Sequence, residues 1–186
     1  TLAALGLSRP HMPYKALIMS ILISPMIVPL IITAAGMFFF YAKINLVYTF
    51  TGIILAHIAL STPFVVITVT ATLVGFDMNM VKASQSLGAR PVRTFFKVIM
   101  PLILPGVISG ALFAFITSFD EVVIVMFMAS LDQLTIPKQM WAGIRQEISP
   151  VILCMATCLV VLSILLLTTV ELLRRRSEKM RGISRQ

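Results

Sequence analysis

Charge is scarce in this 186-residue chain: Asp, Glu, Lys and Arg together make up 12% of it, against about a quarter in a soluble domain. With 59% hydrophobic residues and a mean hydropathy of +1.01, a water-soluble globule of this size could not hide its apolar surface. Compact soluble enzymes and disordered chains are thereby excluded. Cysteine is scarce too. Cys154 and Cys158 lie in one apolar run, four apart on one helix face, which excludes a disulfide scaffold. They read as small buried side chains, the alternative being a metal or redox pair. No Gly-x-x-x-x-Gly-Lys-Ser/Thr phosphate loop is present, so this chain is not expected to hydrolyse ATP itself. Neither a His-Glu-x-x-His or Cys/His metal cluster nor a Gly-x-Ser-x-Gly nucleophile motif occurs, so no catalytic or metal residue is assigned. A basic-then-apolar leader is also lacking. The short apolar opening Thr1–Leu7 reads as the end of a helix, and the chain as the C-terminal part of a longer protein.

What is abundant is uncharged apolar sequence. Ala16 to Ala42 is 27 residues without a charge, Ile44 to Phe76 is 33, Val98 to Phe119 is 22 and Val151 to Val170 is 20. About 20 such residues span a bilayer core as a helix. Four spans are predicted, at 16–40, 49–74, 99–128 and 150–173. The runs lack the period-two alternation of an outer-membrane barrel. The expected fold class is an all-α integral membrane protein, a polytopic helix bundle forming one transmembrane domain over 1–186.

The net charge of +8 orients this bundle rather than pointing to nucleic acid. If Arg9 and Lys15 lie inside, 12 basic residues fall on inner segments, and only Lys43, Lys138 and Arg145 fall outside. That split predicts a cytoplasmic C-terminus. Tyr14, Tyr41, Tyr48 and Trp141 fall at or beyond span ends, as interfacial aromatics do. Pro25, Pro29, Pro63, Pro101 and Pro105 lie within spans and favour kinked helices around a pathway. Gly106 and Gly110, extended by Ala114, form a stripe for close helix packing, either between subunits or within the chain.

The segment Gly75–Lys97 is longer than a simple link requires. Asp77 or Asn79 can cap a helix over Met78–Leu87, Gly88 suits its left-handed C-terminal position, and Pro91 suits the first turn of a second helix running through Phe96. A helix–Gly–helix elbow results, a shape suited to docking into another protein.

The run Lys82-Ala83-Ser84-Gln85-Ser86-Leu87-Gly88-Ala89, followed by Ile99-Met100-Pro101, resembles the E-A-A…G…I-x-L-P loop of binding-protein-dependent ABC importer permeases. Ala83, Gly88, Ile99 and Pro101 match. Lys82 stands where the family usually has Glu, which reverses a charge; Ser84 replaces Ala, and Met100 stands where Leu is common. Phe64–Val69 with Gly75-Phe76-Asp77, Ser118–Val123, and Ile148-Ser149-Pro150 are similar to the polyamine (spermidine/putrescine) branch. The resemblance implies an ATP-driven importer of the bacterial inner (plasma) membrane, with this chain as a multi-pass permease subunit. Its implied partners are a second permease subunit, a cytoplasmic ATPase dimer that carries the ATP and Mg, a periplasmic substrate-binding protein near Ser130–Ser149, and the lipid bilayer. Nucleic acid is not among them. Residues 75–97 would be the ATPase-coupling loop, with Lys82, Ala83, Ser84, Gly88, Ala89, Pro91 and Pro101 as its candidate residues. A full subunit of the family would have two further spans. An importer of another small organic or inorganic ion is the nearest alternative.

Asp120 and Glu121 interrupt otherwise apolar sequence. Counted from Leu102 at 1.5 Å per residue, position 120 lies about 27 Å along the span, near the outer face. An ionisable residue in a span is a functional candidate by default. Either carboxylate could face the pathway and meet a cationic substrate, or both could belong to a capped or salt-bridged helix end. His57 reads as a packing histidine, the alternative being a proton relay. Glu171 is placed to pair with Arg174 or Arg175, and Arg174-Arg175-Arg176 reads as a positive-inside stop. A stand-alone channel or secondary transporter would instead use Asp120, Glu121 and His57 for ion coupling, with the elbow as a mere linker.

Overall fold

The computed structural model describes residues 1–9, 11–146 and 150–180, with side chains for all of these but 145, 146, 170, 173, 174 and 176–180. Helices and connecting turns make up the described residues, without a strand. In order they are α1 (Leu2–Leu7), α2 (Lys15–Ile27), α3 (Leu30–Lys43), α4 (Phe50–Val74), α5 (Asn79–Ser86), α6 (Pro91–Thr94), a π-helical turn Phe95–Ile99, α7 (Met100–Phe119), α8 (Val123–Met128), α9 (Ile136–Gln146) and α10 (Pro150–Met180). Three helices are long and apolar enough to cross a membrane: Phe50–Val74, Pro91–Phe119 and Pro150–Thr169. A fourth span exists only if α2 and α3 count as one.

That pair covers the expected first span at 16–40, broken in the middle rather than straight. α2 and α3 meet at 106°. The break falls at Val28, which is extended (φ −71°, ψ 135°). Pro29 follows it, and a proline ring disfavours the helical conformation at the residue before it. Two hydrophobic half-helices result where the sequence has one uninterrupted apolar run.

The second expected span matches α4 closely. Thr49 caps it, its Oγ1 accepting the Gly52 N–H at 3.0 Å and donating to the Leu46 carbonyl at 2.7 Å. The third is displaced. It was expected at 99–128, but α6, the π-turn and α7 run as one 29-residue helix from Pro91 to Phe119. The second elbow helix therefore does not stop at Phe96 but continues into the membrane span. Pro101 cannot donate to the carbonyl of Lys97, and the π-turn lies immediately before it, where the helical register has to be re-made. At the other end the helix stops at Phe119, residues 120–122 break the chain, and α8 is a separate short helix.

α4 is the centre of the bundle. Its most extensive contact is with α7. Ala56 and Leu60 bury against Ala34 of α3 and against Ile124 and Met128 of α8. Nearer the other end, Val69 and Leu73 bury against Ala4 of α1 and Ile103 of α7. The α4–α7 seam is antiparallel and follows a stripe of small residues spaced by four. A Cβ on Gly106 would overlap Thr72, and one on Gly110 would overlap the Thr68 hydroxyl and lie 3.1 Å from Val65 Cα. Two polar rungs continue the seam: Ser61 Oγ donates to the Ala114 carbonyl at 3.2 Å, and His57 Nδ1 meets Ser118 Oγ at 2.8 Å. The stripe that includes Gly106 and Gly110 thus packs within this chain.

α10 differs in kind. In its apolar window nothing is buried inside the chain, against 39% in the window of α4. Cys154 and Cys158 are free thiols exposed on this helix. Among the described residues there is no group of three or more His, Cys, Asp or Glu that could hold a metal. Glu171 Oε1 accepts from Arg175 Nε at 2.9 Å. Ile148 and Ser149, most of the Arg174-Arg175-Arg176 side chains, and Arg181 and Arg185 lie outside the described residues.

Candidate functional site

Two places carry the candidate residues, one at each end of the α4–α7 pair. The first is the elbow. Asp77 Oδ1 accepts the Asn79 N–H at 2.9 Å and opens α5. α5 closes in a full Schellman turn: the Gly88 N–H bonds the Gln85 carbonyl at 2.9 Å, and the Ala89 N–H bonds the Ser84 carbonyl at 3.1 Å. Gly88 sits at φ 78°, a left-handed conformation that a Cβ penalises. Arg90 is extended (ψ 154°), the conformation favoured before a proline, and Pro91 opens the next helix.

One side-chain bond locks the two arms together. Ser84 Oγ lies 2.9 Å from Thr94 Oγ1, and Thr94 is buried. Ser84 is the position where the resemblance expected Ala, so the departure from the motif makes a contact that alanine could not. Lys82, Ala83, Gly88 and Pro91 are exposed. Leu87 at the apex is 89% exposed, a large apolar side chain held out by a rigid turn. Beneath it Met80, Ala83, Ser84, Ala89, Arg93 and Val98 line an open groove of about 450 Å³. Pro101 is exposed one turn beyond the arm. The sequence reading missed Thr94 and Leu87; a single leucine within a polar turn was the available signal for the latter.

The second place is the opposite end. Asp120 and Glu121, adjacent in sequence, part company. Asp120 is the exposed C-terminal cap of α7. With Ser163 it is one of the few polar side chains lining a mostly apolar cavity of about 380 Å³ between α7, α9 and α10. Glu121 is buried. Its Oε1 accepts the Ile124 N–H at 2.9 Å and its Oε2 the Val125 N–H at 3.2 Å. A carboxylate at this position satisfies two free donors at the start of α8 and complements the helix dipole.

Glu121 lines an adjoining cavity of about 270 Å³ with His57, Ser118 and Thr135, which shares Phe115, Phe119 and Pro137 with the first. Phe115 and Phe119 contribute stacked rings, their centroids 5.3 Å apart. The loops beyond are braced by Gln133. Its Oε1 accepts from the Ser130 N–H at 3.0 Å, and its Nε2 donates to the carbonyl of Tyr48 at 3.2 Å. The His57–Ser118 contact was not foreseen, because 61 residues separate the two.

The elbow is thus continuous with a membrane-length helix, and a small, mostly apolar cavity lined by His57, Ser118 and Glu121 lies at that helix's other end. The family model described as "Binding-protein-dependent transport system inner membrane component" matches residues 1–179. The chain belongs to this family.

Members of the family among curated proteins include the spermidine/putrescine transport system permease protein PotC of Haemophilus influenzae, 30% identical over 176 residues, which is 95% of this chain and 68% of that protein. PotC of Escherichia coli K12 is 30% identical over 179 residues, 96% of this chain and 68% of PotC. The putrescine transport system permease protein PotI of the same organism is 34% identical over 103 residues, 55% of this chain and 37% of PotI. These relatives are transport permeases, and this family member is likewise a helical, multi-pass membrane protein that serves transport.

Proposed function

We propose that the chain is the permease subunit of an ATP-driven importer that moves polyamines such as putrescine and spermidine into the cytoplasm. The observation that carries this reading is the likeness to PotC, which runs along 95–96% of the chain and is not confined to one loop. Two features of the structure agree with it. The elbow presents an exposed apex on a turn locked by Gly88 and the Ser84–Thr94 bond, a rigid lever for an ATPase dimer that binds ATP and Mg. Because α6 continues into α7, any force on the elbow reaches the far end of the span through one helix. The coupling residues in this reading are Lys82, Ala83, Ser84, Gly88, Ala89, Pro91 and Pro101.

The basic residues put the elbow and the C-terminus in the cytoplasm of a bacterial cell, with Asp120, Glu121 and the loop after α8 on the outer side. A periplasmic binding protein delivers substrate there. A second permease subunit covers apolar surface that this chain leaves bare, and lipid covers the rest. Lys82, in place of the family's Glu, calls for a partner groove with complementary acidic character.

The test is uptake of labelled spermidine and putrescine by cells that lack their own polyamine uptake. They would express the full-length permease with its neighbouring ATPase, second permease and binding protein. Uptake that disappears with an ATPase unable to hydrolyse ATP supports the proposal. Uptake independent of the ATPase would favour a channel or secondary transporter, and no polyamine uptake with transport of another small ion would reassign the substrate.

A further inference from the structure

We propose that Gln133 is a catch on the outer side of the bundle: its bond to Tyr48 opens in each transport cycle and frees the turn Ser130–Gln133 together with the start of α9. The inference rests on the ATP-driven importer reading and adds to it a named contact that has to break.

One side of the catch is fixed. Met128 of α8 is buried with Ala34, Ala56, Leu60 and Ile124, and Val47 packs against the same cluster. The Tyr48 N–H bonds the Met128 carbonyl at 2.9 Å, so the connection between α3 and α4 belongs to this frame. The other side is held by polar groups in single file. Gln133 Nε2 donates to the Tyr48 carbonyl at 3.2 Å, and Gln133 Oε1 accepts the Ser130 N–H at 3.0 Å. The Ser130 carbonyl accepts Lys138 Nζ at 3.2 Å, which carries the file into the first turn of α9. Leu131, inside the turn, is 91% exposed, so its side chain adds no packing to the contact. A segment held by a few hydrogen bonds with little buried apolar area opens at low cost.

Space and strain both favour opening. Thr135, Ile136 and Pro137 line the cavity of about 270 Å³, and Pro137 and Met140 line the one of about 380 Å³. The start of α9 therefore borders open volume on the side of α7. Further along, α9 is seated on α10 so closely that a Cβ on Gly143 would lie 2.5 Å from the Ile152 side chain. One part of α9 is anchored by packing and its first turn by the catch. Tyr48 itself is left-handed at φ 62°, and Asn45 in the same connection at φ 55°. Asparagine tolerates this conformation, whereas a bulky tyrosine does not. Such strain persists only where surrounding contacts hold it, and the Gln133 bond is one of the two that hold Tyr48. The closed arrangement is thus a weak polar contact working against a strained residue.

The experiment uses the full-length permease with its partners in proteoliposomes. Tyr48→Cys and Ser130→Cys are combined in a background with Cys154, Cys158 and any further permease cysteines replaced by alanine. The pair is joined by a short, reducible bifunctional thiol reagent, with each single-cysteine protein treated alike. Joining is expected to lower ATP-driven spermidine uptake about tenfold, and reduction to restore it, because a step that has to open is then blocked. Linked protein that transports within about twofold of the unlinked protein overturns the catch and makes Gln133 a static brace. A second measurement does not depend on uptake: spin labels at Tyr48→Cys and Leu131→Cys should move apart between the nucleotide-free and the ADP–vanadate-trapped complex. An identical separation in both states also overturns the catch. Absence of uptake by the untreated wild type overturns the importer reading and the catch with it, an outcome recognised because no link has been made.

Discussion

Gly110 of α7 lies directly beneath Thr68 of α4, so close that a methyl group on the glycine would overlap the threonine hydroxyl. The same holds one turn away for Gly106 and Thr72. The two helices approach at their backbones along this seam, and every polar contact further along it depends on that approach. Gly110→Ala and Gly106→Ala are each expected to destabilise the protein by about 1–3 kcal/mol through overpacking. Thr72→Ala should partly rescue Gly106→Ala, because the clash there is with side-chain atoms. Thr68→Ala should rescue Gly110→Ala more fully, since alanine at 72 keeps a Cβ 2.8 Å from the new methyl at position 106, whereas the nearest atom left at position 110 is Val65 Cα at 3.1 Å. Thermal unfolding of the detergent-purified variants checks both statements; equal rescue at the two sites would contradict this account of the seam.

The bond between Ser84 and Thr94 makes a second prediction. Ser84→Ala leaves a buried Thr94 hydroxyl without its partner and is expected to cost about 1 kcal/mol. Thr94→Val should cost a similar amount, and the double variant less than the sum of the two. Proteolytic sensitivity of the 75–97 segment is the measurement, since the bond joins the two arms of the elbow. Additive effects would mean that the two hydroxyls do not act as a pair.

Gly88 tests the elbow's shape more severely. Proline cannot adopt φ 78° and has no N–H for the Gln85 carbonyl. Gly88→Pro should abolish uptake while the chain still inserts in the membrane at a normal level. Gly88→Ala keeps the N–H and pays about 1 kcal/mol of left-handed strain, so it should retain part of the uptake. Normal uptake by the proline variant would remove the elbow from the coupling mechanism.

The split between Asp120 and Glu121 is also measurable. Glu121→Ala uncovers the Ile124 and Val125 N–H groups at the start of α8 and is expected to lower stability by about 1–2 kcal/mol. Asp120→Asn removes a negative charge from the C-terminal end of α7, where the helix dipole disfavours it, and should be neutral or slightly stabilising. A melting-temperature comparison of the two variants decides the matter; a larger loss in Asp120→Asn would reverse the roles assigned to the pair.

Much of this molecule is legible without coordinates, because the causes are local. Apolar runs of bilayer length identify α4 and α10, and the Asp77, Gly88 and Pro91 positions mark the elbow residue by residue through capping, handedness and ring constraint. The bend in the first span and the early end of the third have causes that are also local but lie in the backbone. Pro29 breaks an unbroken apolar run at Val28, and the two carboxylates at 120 and 121 stop a helix that hydrophobicity alone would carry on to Met128. Hydropathy measures what a segment can be dissolved in, not whether its chain can continue straight.

What composition and spacing could not supply is partnership. The stripe at Gly106 and Gly110 is visible as small residues four apart, yet nothing in it says that Thr72 and Thr68 fill it. His57 meets Ser118 and Thr94 meets Ser84 because antiparallel packing and a turn bring them together, and a side chain's choice of neighbour depends on through-space distance that no periodicity encodes. Asp120 and Glu121 share a place in the sequence and are assigned to different cavities by a single break in the helix. The membrane class, the long apolar segments and the elbow thus follow from residue chemistry along the chain, while the seam, the capping carboxylate and the histidine–serine contact exist only once helices distant in sequence are packed side by side.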